Sequence, residues 1–266
     1  MVKGLYTAYT GMVEEQRRLD VLSNNLANSD TVGFKKEGTV NQAFRNMLAI
    51  KIKDTGTYNM NMGIGDIRLG DKVGETYVDW SQGSFEVTDV LSDVAIAGQG
   101  FFAVSHANND GTRAIRYTRD GSFTVDSNGY LRTAAGDYVL NRFGAANSAD
   151  NEGNYVRVNP LRKYSIATNG DVYQDNVVIG NIGLVDFANY DFLTKTADNL
   201  IIPVNGAQMV EATGTLQQGM LESANVNVID EMVNMITIQR AYEAGQKMIQ
   251  TEDATLEQAV NNVGRV

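Results

Sequence analysis

Between Asn225 and Val263 apolar residues return at every seventh position: Val228, Met235, Tyr242, Ile249, Leu256 and Val263. That spacing keeps one row of side chains on one face of a supercoiled helix. No proline interrupts the run, Gly245 is its lone internal glycine, and Asn227 followed by Asp230 and Glu231 supplies a cap and charges that suit the helix dipole. At 1.5 Å per residue such a helix reaches roughly 55 Å, too long for the interior of one ordinary domain. Its companion row, four residues on, is mixed: Met232 and Val260 are apolar, but Gln239, Gln246 and Asp253 stand between them. Polar side chains there either fix register or meet further helices. A long amphipathic helix lying on its own domain is the plainer alternative.

The N-terminal region repeats this pattern. Leu5, Met12, Leu19 and Leu26 are spaced by sevens, with Ala8 and Leu22 beside them, so a second striped helix is expected. Asn24, Asn25, Asn28 and Gly33 favour caps, turns and left-handed backbone, and the helix should stop among them. Two such helices most simply pair with each other and can share their stripes with neighbouring copies.

The segment between them reads differently. From Val40 to about Trp80 the periodicity breaks up and glycine and asparagine accumulate, as in an extended connection. From Ser81 to Phe187 short apolar runs such as Val94–Ala97 and Phe101–Val104 alternate with the turn dipeptides Asp110-Gly111, Asp120-Gly121, Asn128-Gly129 and Asn169-Gly170. Short strands with turns at this spacing indicate antiparallel β structure, a small sandwich or irregular barrel, rather than βαβ units. The expected fold is therefore α+β: an N-terminal helix over 1–39, an extended connector over 40–80, a β-rich outer domain with its return segment over 81–218, and a long C-terminal helix over 219–266. The two helices are expected to form a coiled-coil base, with the antiparallel domain inserted between them.

Composition narrows the function. A net charge of −10 and no basic stripe argue against nucleic-acid binding. With no cysteine there is neither a disulfide framework nor a thiolate site. No run of apolar residues is long enough to span a membrane, and Glu14 and Glu15 fall where a secretory leader would need an apolar core, so no membrane insertion is expected.

Two longer motifs carry a resemblance. Asn24-Asn25-Leu26-Ala27-Asn28, followed by Thr31, Gly33, Phe34 and Lys35, is similar to the opening signature of bacterial flagellar rod and hook proteins. Asn225-Val226-Asn227, Glu231-Met232, Met235-Ile236, Gln239-Arg240-Ala241-Tyr242-Glu243 and Asp253 resemble the closing signature of the same family. The middle stretches Asp93–Phe102 and Tyr117–Phe123 also fit its outer domain. The resemblance implies a structural axial component of the flagellar basal body, polymerising with identical subunits and other rod and hook proteins into a torque-transmitting tube. It further implies export without a cleaved leader through the flagellar type III apparatus, and a place in the basal body across the periplasm or cell wall. Length favours a distal rod subunit, with a proximal rod protein of similar size the alternative. Leu5, Met12, Leu19, Leu22, Leu26, Met232, Met235, Tyr242, Ile249, Leu256 and Val260 are the expected assembly-interface residues.

Chemistry is expected to be absent: no catalytic, cofactor or metal site. The oxygen-rich turns Asn108–Gly111, Asp126–Gly129 and Asp150–Gly153 lack the twelve-residue calcium-loop spacing. His106 is the single histidine. A carboxylate pair such as Asp89 and Asp93 has no sugar-binding aromatic cluster beside it, apart from Trp80 and Phe85. A coiled-coil adhesin with a ligand-binding β domain, or a cell-wall glycosidase, would be the readings from other classes.

Overall fold

The computed structural model describes residues 2–44, 47–50, 63–67, 70–108, 110–147 and 151–263. The chain opens with helix α1 (Val2–Ala27), followed by strands β1 (Glu37–Ala43), β2 (Met47–Ile50), β3 (Gly63–Ile67) and β4 (Asp71–Val78). Next come β5 (Phe85–Val87), β6 (Val94–Ala97), β7 (Phe101–Ala107), β8 (Arg113–Thr118), β9 (Thr124–Val125), β10 (Leu131–Arg132), β11 (Tyr138–Val139) and the short helix α2 (Arg142–Asn147). Strands β12 (Tyr164–Ile166), β13 (Asp171–Gln174), β14 (Val177–Asn181), β15 (Leu184–Phe187), β16 (Leu193–Lys195), β17 (Ile201–Pro203), β18 (Met209–Glu211), β19 (Thr215–Gln218) and β20 (Met220–Glu222) follow, and α3 (Val228–Val263) is the last element.

These elements fall into two compact units. One comprises α1, Glu37–Asp79 and the chain from Asn227 onward; the other comprises Asn28–Lys36 and Trp80–Val226.

In the helical unit α1 and α3 pack side by side, and β4 packs on α1. Where an extended connector was expected over 40–80, β1 and β4 form an antiparallel ladder from Glu37↔Val78 to Ala43↔Asp71, with a register shift at Val40/Asn41. β2 and β3 form a second ladder. Gly-rich, weakly alternating sequence hid these strands, and the side chains of β1 and β4 stay largely in water, so no apolar alternation marks them. Residues 51–62 of the expected connector lie outside the described residues.

In the other unit a nine-stranded antiparallel sheet runs β16-β17-β8-β7-β11-β10-β9, with β15 paired to β7 and β18 to β15. A three-stranded sheet (β12-β13-β14) and the ladders β6–β19 and β5–β20 complete it. No closed barrel forms among the described strands. β7 is the hub because both its faces are covered. Phe102 points into a cluster with Phe123, Leu131, Val172 and Leu216, whereas Phe101 and Ala103 point into another with Tyr117, Phe187 and Ile201. Such two-sided burial explains why Phe101–Val104 reads as a continuous apolar run rather than an alternating one.

Turn chemistry decides several connections. Gly129 (φ 85°) and Gly170 (φ 93°) take the left-handed conformation at the expected turns. Gly121 does something else: a methyl there would lie 1.7 Å from the Val94 carbonyl oxygen, so it permits a close backbone approach. The β13–β14 hairpin turns on Asp175 (φ 53°) and Asn176 (φ 63°), a pair without glycine and hence without the usual sequence signal.

Candidate assembly surfaces and a buried clamp

The α1–α3 seam is antiparallel and tight. A methyl at Gly245 would lie 2.8 Å from Met12 Cγ, and one at Gly4 would lie 2.4 Å from Glu252 Oε1. Glycine inside a helix costs about 1 kcal/mol relative to alanine, and here it lets the partner's longer side chains lie against the backbone. Val228, Met235, Ile249 and Leu256 are partly covered, as expected. The row that joins them is three residues on, not four: Glu231 and Ile238 are buried, and Gly245, Glu252 and Ala259 are partly so. Met232 (48%) and Val260 (71%) are exposed, and so are Gln239, Gln246 and Asp253. The reason is the size of the inward side chains, since small Gly245 and Ala259 permit an approach that Gln246 and Val260 would prevent. Tyr242 sits at the edge of the seam, 39% exposed. On α1, Met12, Leu19, Leu22 and Leu26 are partly covered, while Leu5 is 36% exposed beside Tyr6 and Tyr9. The side chain of Val263 lies outside the described residues.

At one end of the seam, where α1 finishes and α3 begins, both helices are fixed by asparagine. Asn227 caps α3, its Oδ1 accepting from the Ile229 N–H at 3.1 Å. Asn25, in the last turn of α1, is a buried lock: it donates to the Glu37 carbonyl at 2.8 Å and accepts from the Glu37 N–H at 2.9 Å, as a strand neighbour would. α1 continues to Ala27, and the exposed Asn24 lies within it.

A groove of about 430 Å³ opens between the helices. Leu19, Ile238 and Tyr242 line it with Glu15, Gln16, Gln239, Glu243 and Gln246. On the strand side of α1, Glu14 is buried near Asp71. Burial, followed by the charges of Asp71 and Glu15, pushes its carboxyl above its ordinary value, and Arg18 opposes the shift.

The β unit contains the second notable construction. Asn28–Lys36 has no regular structure, yet Gly33, Phe34 and Lys35 are buried. The Gly33 N–H donates to the Glu222 carbonyl at 2.7 Å, the Asn225 N–H donates to the Phe34 carbonyl at 3.4 Å, and Asn225 Oδ1 accepts from the Lys36 N–H at 2.7 Å. Gly33 is required twice over: its φ is 66°, and a methyl would lie 2.5 Å from the Arg119 carbonyl carbon. Behind this pairing Lys35 Nζ meets Glu222 Oε1 at 2.6 Å and Arg119 Nη1 meets Glu222 Oε2 at 3.2 Å, each side chain at most 5% exposed. Two cations on one carboxylate leave an excess positive charge, which neutral acceptors help to satisfy. Lys35 also donates to the Ser81 carbonyl at 2.8 Å, and Arg119 donates to the Gly98 carbonyl at 2.9 Å while lying over the Phe101 ring. Lys195 Nζ covers the Phe34 ring, 3.4 Å from its centroid. The motif residues thus clamp the two segments by which the chain enters and leaves the β unit.

Reactive chemistry finds no comparable construction. His106 Nδ1 is 3.0 Å from Asp137 Oδ2 at the end of β7, and the Ser105 hydroxyl next to it accepts from Arg113. Asp93 accepts from Thr88 at 2.6 Å, and Asp126 closes a turn and pairs with Arg132 at 2.9 Å. Residues 109 and 150, each part of an oxygen-rich turn, lie outside the described residues. Among the described residues no group of three or more histidine, cysteine or carboxylate side chains is placed to hold a metal, and no helix is long and apolar enough to cross a membrane.

Three family models match the chain: a flagella basal body rod protein model over residues 5–35, a flagellar hook protein FlgE/F/G D1 domain over 95–174, and a flagellar basal body rod FlgEFG protein C-terminal model over 217–262. The first ends within the clamp and the third begins just before it. Among curated relatives, the flagellar basal-body rod protein FlgG of Bacillus subtilis is 34% identical, covering 98% of this chain and 99% of the relative. FlgG of Borreliella burgdorferi is 34% identical over the whole of both chains, and the flagellar basal-body rod protein FlgF of Caulobacter vibrioides is 31% identical over the whole of both.

Proposed function

We propose, from the premise that the chain belongs to the flagellar basal-body rod protein family, that it is a distal rod subunit which polymerises through its terminal helices into a torque-transmitting tube. Membership makes it a structural component of the rod and not an enzyme, situated at the flagellar basal body and assembling with other axial proteins. Relatives named FlgG, the distal rod protein, are 30–34% identical, and those named FlgF, the proximal counterpart, are 28–31% identical. That difference supports the distal reading.

One observation carries the polymer: the terminal helices leave large apolar side chains in water after pairing with each other. Leu5, Tyr6 and Tyr9 are exposed on α1, as are Ile229, Met232, Val233 and Ile236 on α3. These are two apolar patches, one at the start of each helix and so at opposite ends of the antiparallel seam, and exposed apolar patches mark interaction sites. In the assembled rod the helices would form a coiled-coil base against sister copies, and strain would be spread over many parallel contacts. The subunit would travel through the flagellar type III apparatus without a cleaved leader and stand across the periplasm or cell wall.

The test is a deletion strain supplied with variants. Wild-type chain restores a complete rod in images of basal bodies. Leu19→Asp or Ile249→Asp, each placing a charge on the seam, leaves the rod short while the β unit still folds. A deletion strain with intact rods, or full rods built from both variants, would refute the reading.

A further inference from the structure

α3 carries two apolar faces, and one of them has no use in its own unit. Ile229, Val233, Ile236 and Arg240 follow one another at four, three and four residues, with Met232 alongside, so they form one stripe. At 100° per residue that stripe points about 180° away from the seam residues Ile238, Gly245, Ile249 and Leu256. Ile229 is 73% exposed, Val233 56% and Ile236 50%, and β4 packs against α1 rather than here. Arg240, also exposed, closes the stripe with a positive charge.

The groove between α1 and α3 has the complementary character. Its floor is Leu19, Ile238 and Tyr242, and its rim presents Gln239, Glu243 and Gln246. Glu15, which also lines it, is held by Arg18 at 3.0 Å, leaving Glu243 as the exposed carboxylate on the rim.

We infer that the stripe of one copy docks into the α1–α3 groove of the next, with Ile236 and Val233 on the apolar floor and Arg240 against Glu243. This rests on the reading that the chain self-assembles, and it names the contact. Stripe and groove are different surfaces, so each docking event leaves a free stripe on one copy and a free groove on the other. A heterologous contact of this kind continues as an open filament instead of closing as a dimer. The rim glutamines, out of place in a two-helix seam, become hydrogen-bonding partners for the third helix.

The natural absence of cysteine allows a clean test in rods assembled from the full chain. The double variant Val233→Cys with Gln246→Cys should give, on mild oxidation, a ladder of disulfide-linked species extending beyond the dimer, and neither single variant should. Complete rods with no ladder, or dimers from Val233→Cys alone, would overturn the groove contact and leave the rod reading intact. Should the double variant fail to assemble, charge exchange decides: Arg240→Glu and Glu243→Arg should each lower assembly roughly tenfold, and the combination of the two single variants as an equal mixture, in which only contacts between unlike copies pair opposite charges, should recover it. Normal assembly of both single variants, or a combination no better than either, would overturn the contact. Failure of the rod reading shows up separately, as a complete rod in the deletion strain.

Discussion

Single residues decide where the chain ends are held. Glu222 is fully buried between two cations, so replacing it with glutamine keeps the shape and removes the charge that both of them need. Breaking a buried ion pair from one side costs about 3–5 kcal/mol, and Glu222→Gln should lower the unfolding free energy of the β unit by that amount in a denaturant titration. Gly33→Ala should cost at least about 2 kcal/mol in the same titration, because the added methyl meets backbone that cannot yield. The presence of Gly33, Phe34 and Lys35 was visible in the sequence, but their partners were not. Lys35 and Glu222 are 187 positions apart, and no local pattern connects them. Asn25 taught a similar lesson: its dislike of helix interiors marked the terminus, since α1 ends at Ala27, but nothing local showed that its amide pairs with Glu37 as a strand neighbour would. Glu14 gives a pH dependence with a definite sign. Its raised carboxyl value means the folded form binds the proton more tightly than the unfolded chain does. The contribution of Glu14 to the stability of the helical unit is therefore most favourable at low pH, where the group is neutral in both states, and falls as pH rises through the raised value. Thermal melts followed by circular dichroism should show this loss as pH rises above the ordinary carboxylate range, and Glu14→Gln should flatten it.

At the scale of elements, the heptad row from Val228 to Leu256 correctly identified the inner face of α3, but its companion lay one position away from the expected one. Apolar content pointed to Met232 and Val260; packing chose Glu231, Ile238, Gly245, Glu252 and Ala259. Hydrophobicity alone could not have found this row, since two of its members are charged and one has no side chain. Close approach selects for small residues, and Gly245 was the available sign. A direct comparison separates the two rows. Ile238→Asp buries a charge in the seam and should abolish much of the helical circular dichroism of the purified chain. Met232→Asp, on the exposed face, should change its stability by no more than about 0.5 kcal/mol. In the β unit, the turn dipeptides Asn128-Gly129 and Asn169-Gly170 marked their hairpins well, while Asp175-Asn176 passed unnoticed for want of a glycine. The paired strands over 37–78 were missed because their side chains remain largely in water and show no strong alternation.

For the whole molecule, the two long helices and the antiparallel strands between them were legible from the change of periodicity along the chain, and two motifs at its ends were enough to identify the family. What the sequence could not show is that the helices satisfy each other with one face and keep another apolar face outward. That surplus is the physical basis for assembly, because an exposed apolar stripe costs the monomer nothing in its own fold and gains free energy only against a neighbour. The most direct measurement is to image basal bodies from cells whose sole copy of the chain carries Ile236→Asp, alongside a denaturant titration of the purified variant. Rods that stop short, from a protein as stable as the wild type, are the predicted result. Complete rods of normal length built from that variant would contradict the assignment of the terminal helices as the assembly surface.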